Sequence, residues 1–260
     1  MKIKKIFFLC SLPRAGNTVL GSIINSNKNI KMSPNSICPD IINNLQIIKN
    51  SDIFQNFPNH KSLDNVLKNC IQNYYEDWNV ENIIDRSQWG TPGNLSSLKK
   101  IIEKPKFIIL YRPLVECVCS FAKLQIESNN YTKDNVYEYI SQMMNFENGI
   151  LGKSIWSITN LVKEKEDYRI FYYKDLVENI DNFLKNLSLF LNVEINKPKK
   201  LEQFNVNGVY YDDSKTVKNL HKIELNYNTN FNYDLRKYLS KQIINECNEF
   251  EEKWILPYLE

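Results

Sequence analysis

Eight residues near the N-terminus, Ser11-Leu12-Pro13-Arg14-Ala15-Gly16-Asn17-Thr18, separate two apolar stretches of different period. That change of period narrows what the chain can fold into. The run Ile3 to Leu9 has the length of one buried strand, whereas Val19, Ile23 and Ile24 recur at helical spacing. The order is strand, tight loop, helix. A helix that starts straight from such a loop leaves its first backbone N–H groups unpaired. It directs them, with the positive end of the helix dipole, at whatever occupies the turn. A phosphate or sulfate fits there.

The loop is not the nucleotide-triphosphate type, which places a lysine directly after its last glycine; Asn17 follows Gly16 here. The cation precedes the glycine by two residues. Arg14 is planar and permanently charged and can offer two parallel hydrogen bonds to a tetrahedral anion, while Gly16 permits close backbone approach. Taken alone, the segment also reads as a glycine turn with a surface arginine.

Further along, Ile30 to Met32 suggests a short strand, and an apolar-periodic helix follows from Pro39 to Ile48. Residues 50 to 60 are polar and irregular. Leu63, Val66, Leu67, Cys70, Ile71, Tyr74 and Trp78 predict one amphipathic helix face. Asn82-Ile83-Ile84-Asp85 reads as a strand ending in polar groups, with Arg86 next, at the strand edge where open α/β sheets bind ligands. Lys106 to Tyr111 is the clearest strand; Arg112-Pro113 ends it, and proline suits the first turn of the helix that follows. On that helix Arg112, Glu116 and Ser120 step by four residues along one stripe, so Arg112 and Ser120 can flank one anion.

Helices over 135–146 and 150–165, a strand from Tyr168 to Tyr172 and a helix through Phe183, Leu187 and Phe190 continue the alternation. The fold class expected is α/β: a central, mainly parallel sheet with helices on both faces, a three-layer sandwich. Residues 197 to 233 lose periodicity and suggest a long loop or lid within one domain spanning 1–260. A closing helix runs from Leu235 to Trp254.

Basic residues number 33 and acidic ones 30, a net charge of only +3, which argues against a nucleic-acid footprint and for a small anionic partner. Six cysteines without C-x-x-C spacing and two distant histidines argue against zinc, and cysteines within apolar runs point to buried thiols in a reducing compartment. The basic start followed by Ile6 to Cys10 imitates a signal peptide, but the apolar run ends in the glycine loop. No stretch approaches the roughly 20 apolar residues that span a bilayer. A soluble, cytoplasmic protein is expected.

Three segments in order make the chain resemble the sulfotransferases that use 3′-phosphoadenosine 5′-phosphosulfate, PAPS. Leu12-Pro13-Arg14-Ala15-Gly16-Asn17-Thr18 is similar to the family's 5′-phosphosulfate loop, with Ala15 where serine is common and Asn17 where threonine is common. The segment from Ile108 to Ser120 resembles the 3′-phosphate motif, with Arg112 and Ser120 eight apart. Phe171-Tyr172-Tyr173-Lys174-Asp175-Leu176 resembles the Tyr-Glu-Asp-Leu segment, with lysine for glutamate.

The resemblance implies donor binding by Pro13, Arg14, Ala15, Gly16, Asn17, Thr18, Arg112, Ser120 and Tyr173, with no metal. Ile84-Asp85-Arg86 is similar to the Asp-Lys step of tyrosylprotein-type and bacterial members, which gives Arg86 a place beside the sulfate. Leu220 to Glu224 resembles a late segment near the nucleotide, which adds Lys222. Those enzymes carry a basic glutamate after the first helix; Asn35 stands nearest here, so the proton acceptor is left between His221 and Asp85.

Sulfuryl transfer needs in-line geometry and charge stabilisation, roles that fall to Arg14 and Arg86. The expected reaction moves the sulfuryl group to a hydroxyl or amine of a small molecule, glycan or peptide and leaves 3′-phosphoadenosine 5′-phosphate, PAP. Neither nucleic acid nor membrane is expected as a partner. A kinase lacks its loop lysine here, and an inactive nucleotide binder of the same fold is the other alternative.

Overall fold

A computed structural model describes residues 3–212 and 234–259. Five parallel strands, β1 (Lys5–Ser11), β2 (Ile30–Met32), β3 (Asn82–Arg86), β4 (Lys106–Tyr111) and β5 (Asp167–Tyr172), form one sheet in the order β2-β3-β1-β4-β5. Helices flank it. Phe7, Phe8, Leu9 and Cys10 are all buried, as are Phe107 to Leu110. Successive residues of a strand point to opposite faces, so both faces of the sheet centre are covered, and these strands read as unbroken apolar runs for that reason.

The helices are α1 (Asn17–Asn25), α2 (Cys38–Lys49), α3 (Asp52–Asn56), α4 (His60–Tyr74), α5 (Pro92–Lys99), α6 (Leu114–Glu127), α7 (Val136–Met144) and α8 (Ile150–Lys163). After β5 come α9 (Tyr173–Glu178) and α10 (Ile180–Leu191). A hairpin of β6 (Asn205–Val206) and β7 (Val209–Tyr210) follows, then α11 (Leu235–Tyr238) and α12 (Lys241–Trp254). Among the described residues no helix is long and apolar enough to cross a membrane.

The order of the strands decides where chemistry can gather. From central β1 the chain moves outward to β2, returns to β3, then crosses to β4 on the other side of β1. The carboxyl ends of β1, β3 and β4 therefore open on one crevice, the ligand position of doubly wound sheets. Register keeps these ends level: Leu9 pairs with Arg86, and Tyr111 pairs with Tyr172, which brings the next residues, Arg112 and Tyr173, to the same edge.

Several expectations shift. The predicted helix face ending at Trp78 stops at Tyr74, and only Ile71 of α4 is buried; Val66 stays half exposed because α4 lies at the periphery. The irregular stretch before it contains α3, capped by the Ser51 hydroxyl, which accepts from the Phe54 N–H. The closing helix is two helices, because the chain is extended at Leu239 and Ser240 and the Ser240 hydroxyl caps α12 by accepting from Ile243. The first part of the expected loop or lid region is tied to the body of the fold: Ser22 Oγ donates to the Glu202 carbonyl at 2.6 Å, and Asn207 reaches the Asp77 carbonyl. Residues 213–233, the rest of that stretch, lie outside the described residues.

All six cysteines are free thiols, and all but Cys70 are buried. Burial pushes the thiols of Cys10 and Cys119 up to about 11, which removes them as nucleophiles near neutral pH.

Candidate active site at the carboxyl edge of the sheet

The loop after β1 turns by two left-handed residues, Arg14 at φ 68° and Gly16 at φ 89°. Glycine accepts that conformation without strain; arginine does not, and its persistence there means that surrounding contacts enforce it. Two hydrogen bonds close the loop on itself: Ala15 N–H and Asn17 Nδ2 both donate to the Leu12 carbonyl, the latter at 3.0 Å. Helix α1 then starts at Asn17 with no side-chain cap and no acidic residue in its first turn. Its N-terminal field is left for an anion.

Arg14 and Arg112 are held together by each other's surroundings. Arg14 Nε donates to Ser120 Oγ at 3.0 Å, and Arg112 Nη1 donates to the Arg14 carbonyl at 2.9 Å. The second contact fixes the strained residue from behind. Arg112 is itself buried; its Nε donates to Glu116 at 2.9 Å, and its guanidinium carbon sits 4.3 Å from the centre of the Tyr173 ring. Burial works against the Arg112 charge, but Cys117, Tyr173 and Glu116 hold its pKa above the ordinary value.

Tyr173 closes this cluster. It begins α9 directly after β5, and its ring lies so close to Gly16 that a Cβ there would fall 2.6 Å from Cδ2. The loop, the start of α6 and the start of α9 thus form one packed unit of Arg14, Gly16, Arg112, Ser120 and Tyr173.

Arg86 stands on the other side of the loop. Its backbone is tied by the Ser33 hydroxyl, which accepts from Arg86 N–H at 3.0 Å, and its Nη1 donates to the Pro34 carbonyl. Burial lowers the guanidinium pKa, and the neighbouring Tyr211 acts in the opposite direction. Asn17, Thr18, Pro34 and Arg86 line a narrow pocket roofed by Phe204 and Tyr211. Phe204 can lie over α1 because residue 21 is glycine: a Cβ there would fall 2.0 Å from its ring.

Asp85 is not at this pocket. It is fully buried, and its carboxylate accepts from Ser36 Oγ, Tyr75 Oη and Trp89 Nε1, each at 2.8 Å. Its three hydrogen bonds make it a polar hub that joins β3 to the end of α4 and to the segment before α2. Asn35 is exposed. His221 and Lys222 lie outside the described residues.

Sequence reasoning missed Pro34, Phe204 and Tyr211. The two aromatics sit in a stretch without periodicity, where nothing local distinguishes a pocket wall from a solvated side chain.

A family model described as Sulfotransferase domain matches residues 4–250. No curated protein matches the chain significantly. Among solved structures it is similar to the sulfotransferase domain from the Synechococcus PCC 7002 olefin synthase, with TM-score 0.55, 16% identity, and 97% of this chain and 96% of that one covered. A sulfotransferase from Alicyclobacillus acidocaldarius gives TM-score 0.55 at 11% identity, covering 99% and 94%. Mouse sulfotransferase SULT7A1 complexed with PAP gives 0.57 at 13% identity, covering 97% and 85%. At these identities the structural likeness speaks for the fold, and the family match agrees with it: the chain belongs to the sulfotransferase domain family.

Proposed function

We propose that the protein transfers a sulfuryl group from PAPS to a hydroxyl or amine acceptor. The observation that carries this reading is the packed unit that joins the loop after β1 to the start of α6 through Arg14, Arg112 and Ser120. It brings two arginines and an uncapped helix N-terminus to one edge, the donor set that a nucleotide with separate 5′ and 3′ anionic groups requires.

PAPS supplies an activated sulfuryl group on a phosphate leaving group. The loop amides and Arg14 hold the 5′ end and stabilise negative charge as it gathers on the bridging oxygen. Arg112 and Ser120 hold the 3′-phosphate, and Arg86, across the loop, orients the sulfuryl oxygens toward the acceptor. With Asp85 occupied by three donors, His221 is the proton acceptor of this reading.

The test is acceptor-dependent conversion of PAPS to PAP across a panel of alcohols, phenols, sugars and amines. Turnover lost in Arg86→Ala is the expected result. Phosphoryl transfer from magnesium ATP, with PAPS unchanged, would overturn the reading in favour of a kinase.

A further inference from the structure

The turn that carries Arg112 is gripped from behind by the C-terminal helix. Tyr111 ends β4 and Leu114 begins α6, so only Arg112 and Pro113 lie between them. One carboxylate oxygen, Glu251 Oε1, accepts from both the Tyr111 hydroxyl and the Leu114 N–H, the latter at 2.8 Å. Proline has no N–H, and the N-cap position of α6 supplies no side-chain acceptor. The cap of α6 arrives instead from α12, 137 residues away.

Glu251 also departs from its own helix's pattern. Ile243, Cys247 and Glu251 are the buried residues of α12 and follow at four-residue steps, so the carboxylate occupies an apolar stripe. Burial pushes its carboxyl pKa up, and the Leu114 amide pulls it back down. A helix docked for packing alone avoids that desolvation cost by placing an apolar side chain here.

We propose that Glu251 is a positioning residue for nucleotide recognition: by holding the Tyr111 hydroxyl and the Leu114 N–H it braces the turn that carries Arg112 and aims the guanidinium at the 3′-phosphate. This rests on the role given to Arg112 above. Side-chain contacts to Glu116, Arg14 and Tyr173 set the far end of Arg112, and Glu251 sets the near end. A small rotation of that turn spoils paired hydrogen bonds to a phosphate more than it disturbs the rest of a nucleotide.

The experiment compares, by calorimetry on the full chain, affinities for PAP and for adenosine 5′-phosphate. Glu251→Met, which suits the apolar stripe, narrows the wild-type preference for PAP by about tenfold and changes adenosine 5′-phosphate affinity by less than about twofold. Glu251→Gln keeps an acceptor oxygen and restores most of the preference. If Glu251→Met does not fold, Tyr111→Phe, which leaves the Leu114 contact intact, reads the same effect at smaller size. An unchanged preference in the folded variants, or equal losses for both nucleotides, overturns the positioning role. A wild-type chain without preference for PAP overturns the function proposed above instead, so the two failures are distinguishable.

Discussion

Arg14 and Ser120, 106 residues apart, are joined by a hydrogen bond of 3.0 Å from the arginine Nε to the serine hydroxyl. Ser120 is 2% exposed. It sits in the second turn of α6, beyond the turn that carries Arg112, and so ties the loop after β1 to that helix. Ser120→Ala leaves Arg14 without this acceptor and, in the function proposed above, removes a donor for the 3′-phosphate. PAP affinity should fall by about 1–2 kcal/mol, with little change in melting temperature. Calorimetry beside thermal unfolding separates the two effects; a large loss of stability with unchanged affinity would contradict this.

Gly16→Ala meets two penalties at once, a positive φ and a clash with the Tyr173 ring. The expected cost is about 1–3 kcal/mol of stability together with loss of nucleotide binding. Adding Tyr173→Ala relieves the clash and not the backbone strain, so denaturant unfolding should show partial recovery. Full recovery would mean that the φ value carries no cost.

Tyr173 serves by its ring face, which lies against Arg112. Tyr173→Phe keeps that face and should retain PAP affinity within about threefold, whereas Tyr173→Leu should lose about 1 kcal/mol or more. Equal losses in the two variants would assign the role to the hydroxyl.

Asp85 and Glu251 make stability depend on pH in a direction opposite to that of surface carboxylates. Burial holds both carboxyls above their ordinary values, against the donors that Trp89, Tyr75 and Ser36 supply to Asp85 and Leu114 supplies to Glu251. The unfolded chain releases these protons in the ordinary carboxylate range, so above that range the native state still holds them. Their contribution is therefore greatest below the ordinary range and declines as pH rises through the folded values. Asp85→Asn should flatten that decline in urea unfolding from about pH 4 to about pH 8, apart from its own loss of stability. A profile parallel to the wild type would contradict the assignment.

How far the sequence could be read depended on whether a residue's role was local. The strand-loop-helix at Ser11 to Thr18 was legible because a change of apolar period and a glycine lie side by side. The Lys106–Tyr111 strand was legible because both its faces are buried. The surroundings of Asp85 were not legible: strand-end position suggested chemistry, whereas its hydrogen-bond partners come from residues 36, 75 and 89, and no spacing rule predicts that convergence. Glu251 was invisible for the same reason. On its own helix it looks like any glutamate of a charged surface, and only the fold brings it under Leu114.

The central claim is that Arg112 reads a 3′-phosphate while the loop around Arg14 and Gly16 reads the 5′ end. Calorimetric titration of the wild type and Arg112→Ala with PAP and with adenosine 5′-phosphate tests it most directly. The wild type should bind PAP more tightly, and the variant should lose that preference while binding adenosine 5′-phosphate nearly as before. Equal weakening of both nucleotides, or a wild-type chain indifferent to the 3′-phosphate, would contradict it.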